Sequence, residues 1–191
     1  MQRSSSPDSS AAAPARAADG EPQPLQPVIL SERSLTLLAL VRMFVGLLWF
    51  QQLAWKMPPT FGGLHRYVES EIQHTFVPGY STILTTVFLT HFSLLGAGVW
   101  TAELLVGITL LFGLFTRFGA LLALVLSVQL YVGLAYAPGE WYWTYGMLVL
   151  LALVLLAVPA GRRLGLDQLL APRMQQAAQT SRLVRFVSCL V

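Results

Sequence analysis

The chain has 191 residues, of which 55% are hydrophobic and only 11% charged, and its formal net charge is +3 at pH 7. A mean hydropathy of +0.62 together with so few charges excludes a soluble globular domain and indicates an integral membrane protein. A helix that crosses the hydrocarbon core needs roughly 20 apolar residues, so a chain of this length has room for about four spans. The single cysteine, Cys189, excludes an internal disulfide, and redox chemistry would therefore need a bound cofactor or substrate.

The N-terminal segment, residues 1–30, is rich in Ser, Ala and Pro and has no long apolar run. Such a composition cannot bury enough surface to fold. It also lacks the continuous apolar region of a secretory signal. We therefore predict a disordered cytoplasmic tail.

The first apolar stretch, LALVRMFVGLLWFQQLAWKMPP at 38–59, predicts a membrane span over about 35–55. Pro58 and Pro59 stop the helix because they remove backbone donors. A polar segment over 60–80 then predicts a folded or interfacial loop. The next apolar run, 81–115, is too long for one straight span. We predict a break near 96–98, with an interfacial helix before it and the second span, 99–115, after it.

The remaining spans are predicted over 119–136 and 145–158, separated by an aromatic interfacial loop at 137–143. A short turn over 116–118 precedes the third span. After the fourth, residues 171–191 alternate arginine with apolar side chains and predict an amphipathic helix on the inner leaflet. The expected fold class is all-α: a polytopic membrane protein with a four-transmembrane-helix bundle, an extra interfacial helix before span two and an amphipathic C-terminal helix.

The cations indicate how these spans are oriented. Of the 12 lysines and arginines, nine fall on the side of the two termini, whereas Lys56 and Arg66 fall on the other side and Arg42 lies inside span one. Cytoplasmic flanks of membrane spans are enriched in Lys and Arg. We therefore expect a multi-pass protein of the cell membrane with both termini in the cytoplasm.

Arg42 raises the question of function, because a charged side chain within the bilayer costs at least ~2.5 kcal/mol and normally serves a purpose. Positions 42, 49 and 56 are spaced by sevens and share one helical face. The predicted stripe consists of Arg42, Gly46, Trp49, Gln52 and Lys56.

Glu103 is the deep carboxylate of the second span. We expect its side chain to reach Arg42 if the first two spans are neighbours. One interpretation is a buried salt bridge that only fixes helix packing. The other is a functional site, because ionisable residues inside the membrane are commonly functional. Lys56 by itself is also consistent with a lysine that extends to the lipid headgroups.

Metal and nucleotide binding have no support in the sequence. His65, His74 and His91 lack a metal-binding spacing such as HExxH. No glycine-rich phosphate loop follows a strand. Asp167 is interpreted as the N-cap of a short helix that begins at Gln168.

Three groups of residues carry a resemblance to a known family. They are Arg42, Gly46 and Lys56 in the first span, Glu103 with the later GLFTR at 113–117, and GRRLGLD at 161–167. In order and spacing they resemble the DoxX/DoxD family, and WKMPP at 55–59 is closest to the DoxD-like branch, the membrane subunit of thiosulfate:quinone oxidoreductases. The resemblance covers about 35–170 and implies a four-helix membrane domain over 31–170, between the tails 1–30 and 171–191. It also implies quinone as cofactor and a second, DoxA-like subunit as partner.

Combined with the stripe, the resemblance suggests a quinone site. Arg42 or Lys56 would hydrogen-bond a carbonyl oxygen and stabilise its negative charge. Trp49 would stack on the ring, and Glu103 would relay protons. Gln52 and Gly46 would complete the binding face. The alternative function is a non-catalytic membrane scaffold or assembly subunit of a redox complex.

Overall fold

The computed structural model describes residues 31–158 and 160–170, and their regular structure is entirely helical. A 3₁₀ turn, Ala54–Lys56, follows the first helix, a π-helical turn, Leu84–Phe88, follows the third, and another 3₁₀ turn, Ala160–Arg162, follows the last. The predicted tails, 1–30 and 171–191, lie outside the described residues. The helices are α1 Glu32–Gln52, α2 Gly62–His74, α3 Tyr80–Ile83, α4 Phe92–Phe112, α5 Thr116–Leu134 and α6 Tyr142–Ala157.

The four long helices pack in the order α1, α4, α5, α6. Small and branched side chains fill the interface, which lets the helices approach closely. α1 and α6, at the two ends of this row, touch each other only slightly. The shared core consists of Val45, Trp49, Val106, Leu110, Ala120, Ala123, Ala152, Leu155 and Ala160.

Within the described residues, three helices are long and apolar enough to cross a membrane: Glu32–Lys56, Phe92–Phe112 and Thr116–Leu134. α6 is apolar but has only 16 residues, or ~24 Å of helix against a hydrocarbon core of ~30 Å. Each end of α6 nevertheless lies beside a residue of the first span. Tyr145 near its start shares a cavity with Lys56, and Ala160 just beyond its end accepts a hydrogen bond from Arg42.

The predicted break at 96–98 is wrong, because α4 runs without interruption from Phe92. Gly96 instead lies within the helix and packs against Phe61 and Leu64, at the start of α2. The chain breaks at 89–91, where His91 leaves the helical conformation (φ −114°, ψ 32°). The helical segment before α4 is therefore shorter than predicted and consists of α3 with its π-helical turn.

The turn between the second and third spans also differs from the prediction. Thr116 begins α5, and the turn lies at 113–115. Gly113 (φ +63°) and Phe115 (φ +51°) are both left-handed there, a conformation that glycine adopts without strain.

α2 lies in the segment for which a loop was predicted. It buries Leu64, Val68 and Glu71 on one face, at the i, i+4, i+7 spacing of an amphipathic helix. This face packs on the 3₁₀ turn after α1 and on α5. Gly63 lies directly against Trp55, so α2 covers the end of the bundle where Lys56 is found.

Candidate functional site

The predicted stripe on α1 divides into two environments, one at each end of the bundle. At one end Arg42 is fully buried. Its Nη2 donates to the Leu164 carbonyl at 2.9 Å, and its Nη1 donates to the Ala160 carbonyl at 3.4 Å. The guanidinium therefore holds the chain that follows α6 against α1, and the prediction that it lies opposite Glu103 is wrong.

Asp167 balances the charge of Arg42 electrostatically. Its carboxylate accepts from the backbone N–H of Phe115 at 2.7 Å and of Thr116 at 2.9 Å. It thus caps the N-terminus of α5, where the helix dipole favours a negative charge. The interpretation of Asp167 as the cap of its own short helix missed this longer-range role.

Gly46 lies at the contact between α1 and α4. A Cβ at this position would lie 2.5 Å from the backbone nitrogen of Leu111. The absence of a side chain is what lets the two helices come together here. Neither Arg42 nor Gly46 lines the cavity described next.

A cavity of about 290 Å³ lies at the other end of the bundle, between the ends of α1 and α6. It brings together four of the six predicted site residues: Trp49, Gln52, Lys56 and Glu103. Trp49, Lys56, Glu103 and Tyr145 are buried, whereas Gln52, Trp55, Glu140 and Thr144 are exposed and form its mouth. The lining consists of Leu48, Trp49, Gln52, Trp55, Lys56, Tyr67, Glu103, Leu130, Glu140, Thr144, Tyr145 and Leu148.

Lys56 and Glu103 form a buried ion pair in this cavity, from Nζ to Oε1, with side-chain exposures of 5% and 3%. The ammonium also lies 4.6 Å from the ring centroid of Trp55, a cation–π contact. The second carboxylate oxygen, Oε2, is buried and has no hydrogen-bond partner among the described residues. Buried polar atoms are nearly always hydrogen-bonded, so this oxygen indicates a place for a polar ligand or water.

Aromatic side chains form the walls of the cavity. The rings of Trp55 and Tyr67 lie 4.8 Å apart with an interplanar angle of 39°, and Trp55 Nε1 donates to Gln52 Oε1 at 2.8 Å. The Glu140 carboxylate interacts electrostatically with both Tyr67 and Tyr145. Burial, assisted by this carboxylate, raises the pKa of Tyr67 above its ordinary value, so Tyr67 remains a neutral hydrogen-bond donor.

Several polar residues around the cavity were missed from sequence: Tyr67, Glu71, Glu140 and Tyr145. Glu71 left a signal, because it falls on the apolar face of α2 where a carboxylate is unexpected. The others carried none, since tyrosines and glutamates near interfacial loops are common. As for metals, residues 31–158 and 160–170 contain no group of three or more His, Cys, Asp or Glu side chains that could hold an ion.

Fold and site together define a multi-pass helical membrane protein with a buried lysine–glutamate pair in an aromatic cavity. The family model described as "TQO small subunit DoxD" matches residues 37–190, which is most of the chain. The chain therefore belongs to the DoxD family, the small membrane subunit of thiosulfate:quinone oxidoreductase. This confirms the predicted family, and the match extends beyond residue 170, where the resemblance ended. No curated protein and no solved structure matches the chain.

Proposed function

We propose that the chain is the quinone-interacting membrane subunit of a thiosulfate:quinone-type oxidoreductase and that the cavity beside Lys56 is its quinone site. The observation that carries the proposal is the buried Lys56–Glu103 pair, whose carboxylate keeps one buried oxygen without a described partner. A fixed charge pair inside an apolar, aromatic cavity suits a ligand that has a flat ring with polar edges.

The residues present fit such a ring. At about 290 Å³ the cavity is at the lower end of the ~300–1,000 Å³ typical of small-molecule sites, so it accommodates a headgroup rather than an entire prenylated quinone. The prenyl chain would leave through the mouth between α1 and α6, past Gln52 and Thr144. Quinone, when bound, supplies the two-electron acceptor chemistry.

The chain's own residues supply charge stabilisation and protons. The Lys56 ammonium stabilises negative charge on a bound oxygen, as preorganised donors do in oxyanion sites. Glu103 holds or passes a proton at its second oxygen. Trp49, buried and fixed, offers a rigid face for stacking. Gln52 accepts from Trp55 through its oxygen, which leaves its amide NH₂ for donation.

The electron-donor side of the reaction is assigned to the partner. A small subunit implies at least one other subunit, and a DoxA-like chain is the proposed one. Arg66 is exposed on α2, and its charge would attract an anionic electron donor, whereas Lys56 is buried and paired.

Four membrane spans with both termini cytoplasmic complete the proposal. α6 is shorter than the other three long helices, but Tyr145 near its start lies in the cavity with Lys56, and Ala160 just beyond its end is bonded to Arg42. Local thinning of the bilayer accommodates a short span at modest cost.

Fluorescence quenching by ubiquinone and menaquinone analogues in detergent tests the site. We expect saturable quenching of the wild type and an affinity at least about tenfold lower in Trp49→Ala and Lys56→Met, which corresponds to about 1.4 kcal/mol. Trp143→Ala is the matched control, because Trp143 is exposed and lies outside the lining. It should change the amplitude but not the affinity. Absence of saturable binding in the wild type would remove the proposal.

The alternative is a non-catalytic scaffold in which the Lys56–Glu103 pair only fastens α1 to α4. The environment of Arg42 favours the scaffold, because this equally buried cation holds the chain after α6 against α1. A wild type that assembles with its partner subunit but binds no quinone analogue would support the scaffold.

A further inference from the structure

Glu71 is a buried carboxylate that the proposed quinone site does not use. It lies on α2, outside the spans, and is only 3% exposed. A buried carboxylate is costly unless its oxygens are hydrogen-bonded or it is neutral. The groups around Glu71 therefore indicate how its buried carboxyl is stabilised.

Glu71, Tyr80 and Gln129 form a hydrogen-bonded set that we call the Glu71 cluster. Gln129 Nε2 and the Tyr80 hydroxyl donate to Glu71 Oε2 at 2.7 and 3.2 Å, and Gln129 Nε2 also lies 3.0 Å from the Tyr80 oxygen. Gly133 of α5 makes room for the carboxyl, since a Cβ there would lie 2.5 Å from Glu71 Cγ. Three elements, α2, α3 and α5, thus combine to build this site.

The cluster adjoins the cavity. Lys56 and Tyr145 line the cavity, and both interact electrostatically with Glu71. Tyr67, one turn before Glu71 on α2, is another lining residue. On its other side the cluster ends at Tyr80, which is only half-buried. It therefore lies between the surface of the bundle and the charged wall of the cavity.

The protonation of Glu71 suits this position. Burial raises its pKa to about 7, although the hydrogen bonds from Gln129 and Tyr80 and the charge of Lys56 act in the opposite direction. Burial likewise raises the pKa of Tyr80 to about 12. Near neutral pH, Glu71 can therefore hold or release a proton while Tyr80 remains a neutral hydroxyl.

We propose that Glu71 is the proton-loading residue of the cavity, which takes protons from water through Tyr80 and returns them to Lys56. This inference rests on the proposed quinone site. The Lys56 ammonium gives a proton to the bound oxygen and becomes an amine. The Glu71 carboxyl then protonates that amine and becomes a carboxylate. The carboxylate regains a proton in one concerted shift, in which the Tyr80 hydroxyl donates to Glu71 as it accepts a proton from water, so Tyr80 stays neutral, protons balance and no electrons move.

The first test needs no ligand. Infrared difference spectra of the full-length protein, recorded over a pH titration, should show a protonated-carboxyl band that disappears around pH 7. Glu71→Gln should remove this band. Glu69→Gln is the matched control, because Glu69 is on the same helix but is 52% exposed and pairs with His65. A band that persists in Glu71→Gln overturns the assignment.

The second test separates this inference from the quinone site itself. Membranes that contain the complete thiosulfate:quinone oxidoreductase with Glu71→Gln should bind the quinone analogue with unchanged affinity. They should reduce the quinone analogue at least about tenfold more slowly than wild-type membranes, which is a modest loss for a proton-transfer residue. The wild-type rate should fall as the pH rises through about 7, and Glu71→Gln should lose that dependence. Normal rates and a normal pH dependence in Glu71→Gln would overturn only the proton-loading role of Glu71. A wild type that binds no quinone overturns both proposals.

Tyr80→Phe keeps the inference testable if Glu71→Gln does not fold. It removes only the hydroxyl that donates to Glu71. We expect normal assembly and quinone binding with slower reduction, and a rate equal to the wild type would contradict the path through Tyr80.

Discussion

Arg42 and Lys56 are both buried on the first span and its 3₁₀ extension, but their partners differ in kind. Arg42 donates to two backbone carbonyls and balances Asp167. Lys56 pairs with a single carboxylate inside a cavity. The difference follows from their chemistry, because a guanidinium presents several donors in a planar fork whereas an ammonium is a compact charge on a flexible stem. Arg42 is therefore suited to joining loops, and Lys56 to holding a charge that can respond to a ligand.

The pairing leads to a prediction about stability. Removing one partner of a buried pair leaves an unpaired charge and costs about 3–5 kcal/mol. Lys56→Met or Glu103→Leu alone should therefore lower the free energy of unfolding by about this amount. The double variant should regain much of the lost stability. Denaturant unfolding in detergent, followed by circular dichroism, measures the coupling.

The control is the pair predicted from sequence. Arg42 and Glu103 lie in separate environments. The changes that Arg42→Leu and Glu103→Leu make to the free energy of unfolding should therefore add within about 0.5 kcal/mol. Recovery of stability in that double variant, with none in Lys56→Met/Glu103→Leu, would contradict the observed pairing.

At the scale of the helices, single glycines set the distance between spans. Gly46 allows α1 to reach the α4 backbone at Leu111, and Gly133 admits Glu71 to α5. Such small residues matter in a membrane because lipid provides no hydrophobic drive for helix association, so close packing must supply it.

Gly46→Ala should therefore weaken the bundle. Its new Cβ would meet backbone atoms, which cannot turn aside as a side chain can, and overpacking of this kind costs about 1–3 kcal/mol. Gly98→Ala is the matched control, since nothing lies within 4 Å of a Cβ there and alanine favours helix by up to about 1 kcal/mol. Thermal unfolding in detergent should show a lower midpoint for Gly46→Ala only. Equal midpoints would contradict the close approach.

At the scale of the whole molecule, we predict that the short helix α6 crosses the membrane. If it does, residues 138 and 191 lie on opposite sides. Fusions of a compartment-sensitive reporter after Pro138 and after Val191 should then report different compartments, with the Val191 fusion cytoplasmic. A fusion after Gly79 is the control and should agree with Pro138, because α4 and α5 lie between them and cross twice. Identical reports from Pro138 and Val191 would contradict four spans.

Much of this architecture could be predicted from the sequence, because burial in lipid acts on each segment separately. A span must be about 20 residues long and apolar, and such a stretch is visible without knowing its neighbours. Helical spacing likewise placed Trp49 and Lys56 on one face. The three long spans were predicted on this basis, whereas the DoxD family was predicted from the resemblance of its short motifs.

The tertiary structure alone decided which charges meet. Helical spacing predicts the face on which a residue lies but not the path of a distant loop. Here Arg42 donates to the carbonyls of residues 160 and 164, in the chain that follows α6. Glu103 therefore pairs with Lys56 and not with Arg42. α2 was missed for a related reason, because its apolar face is stable only against the end of the bundle. Local propensity fixed the helices, whereas contacts between residues far apart in the chain fixed the site.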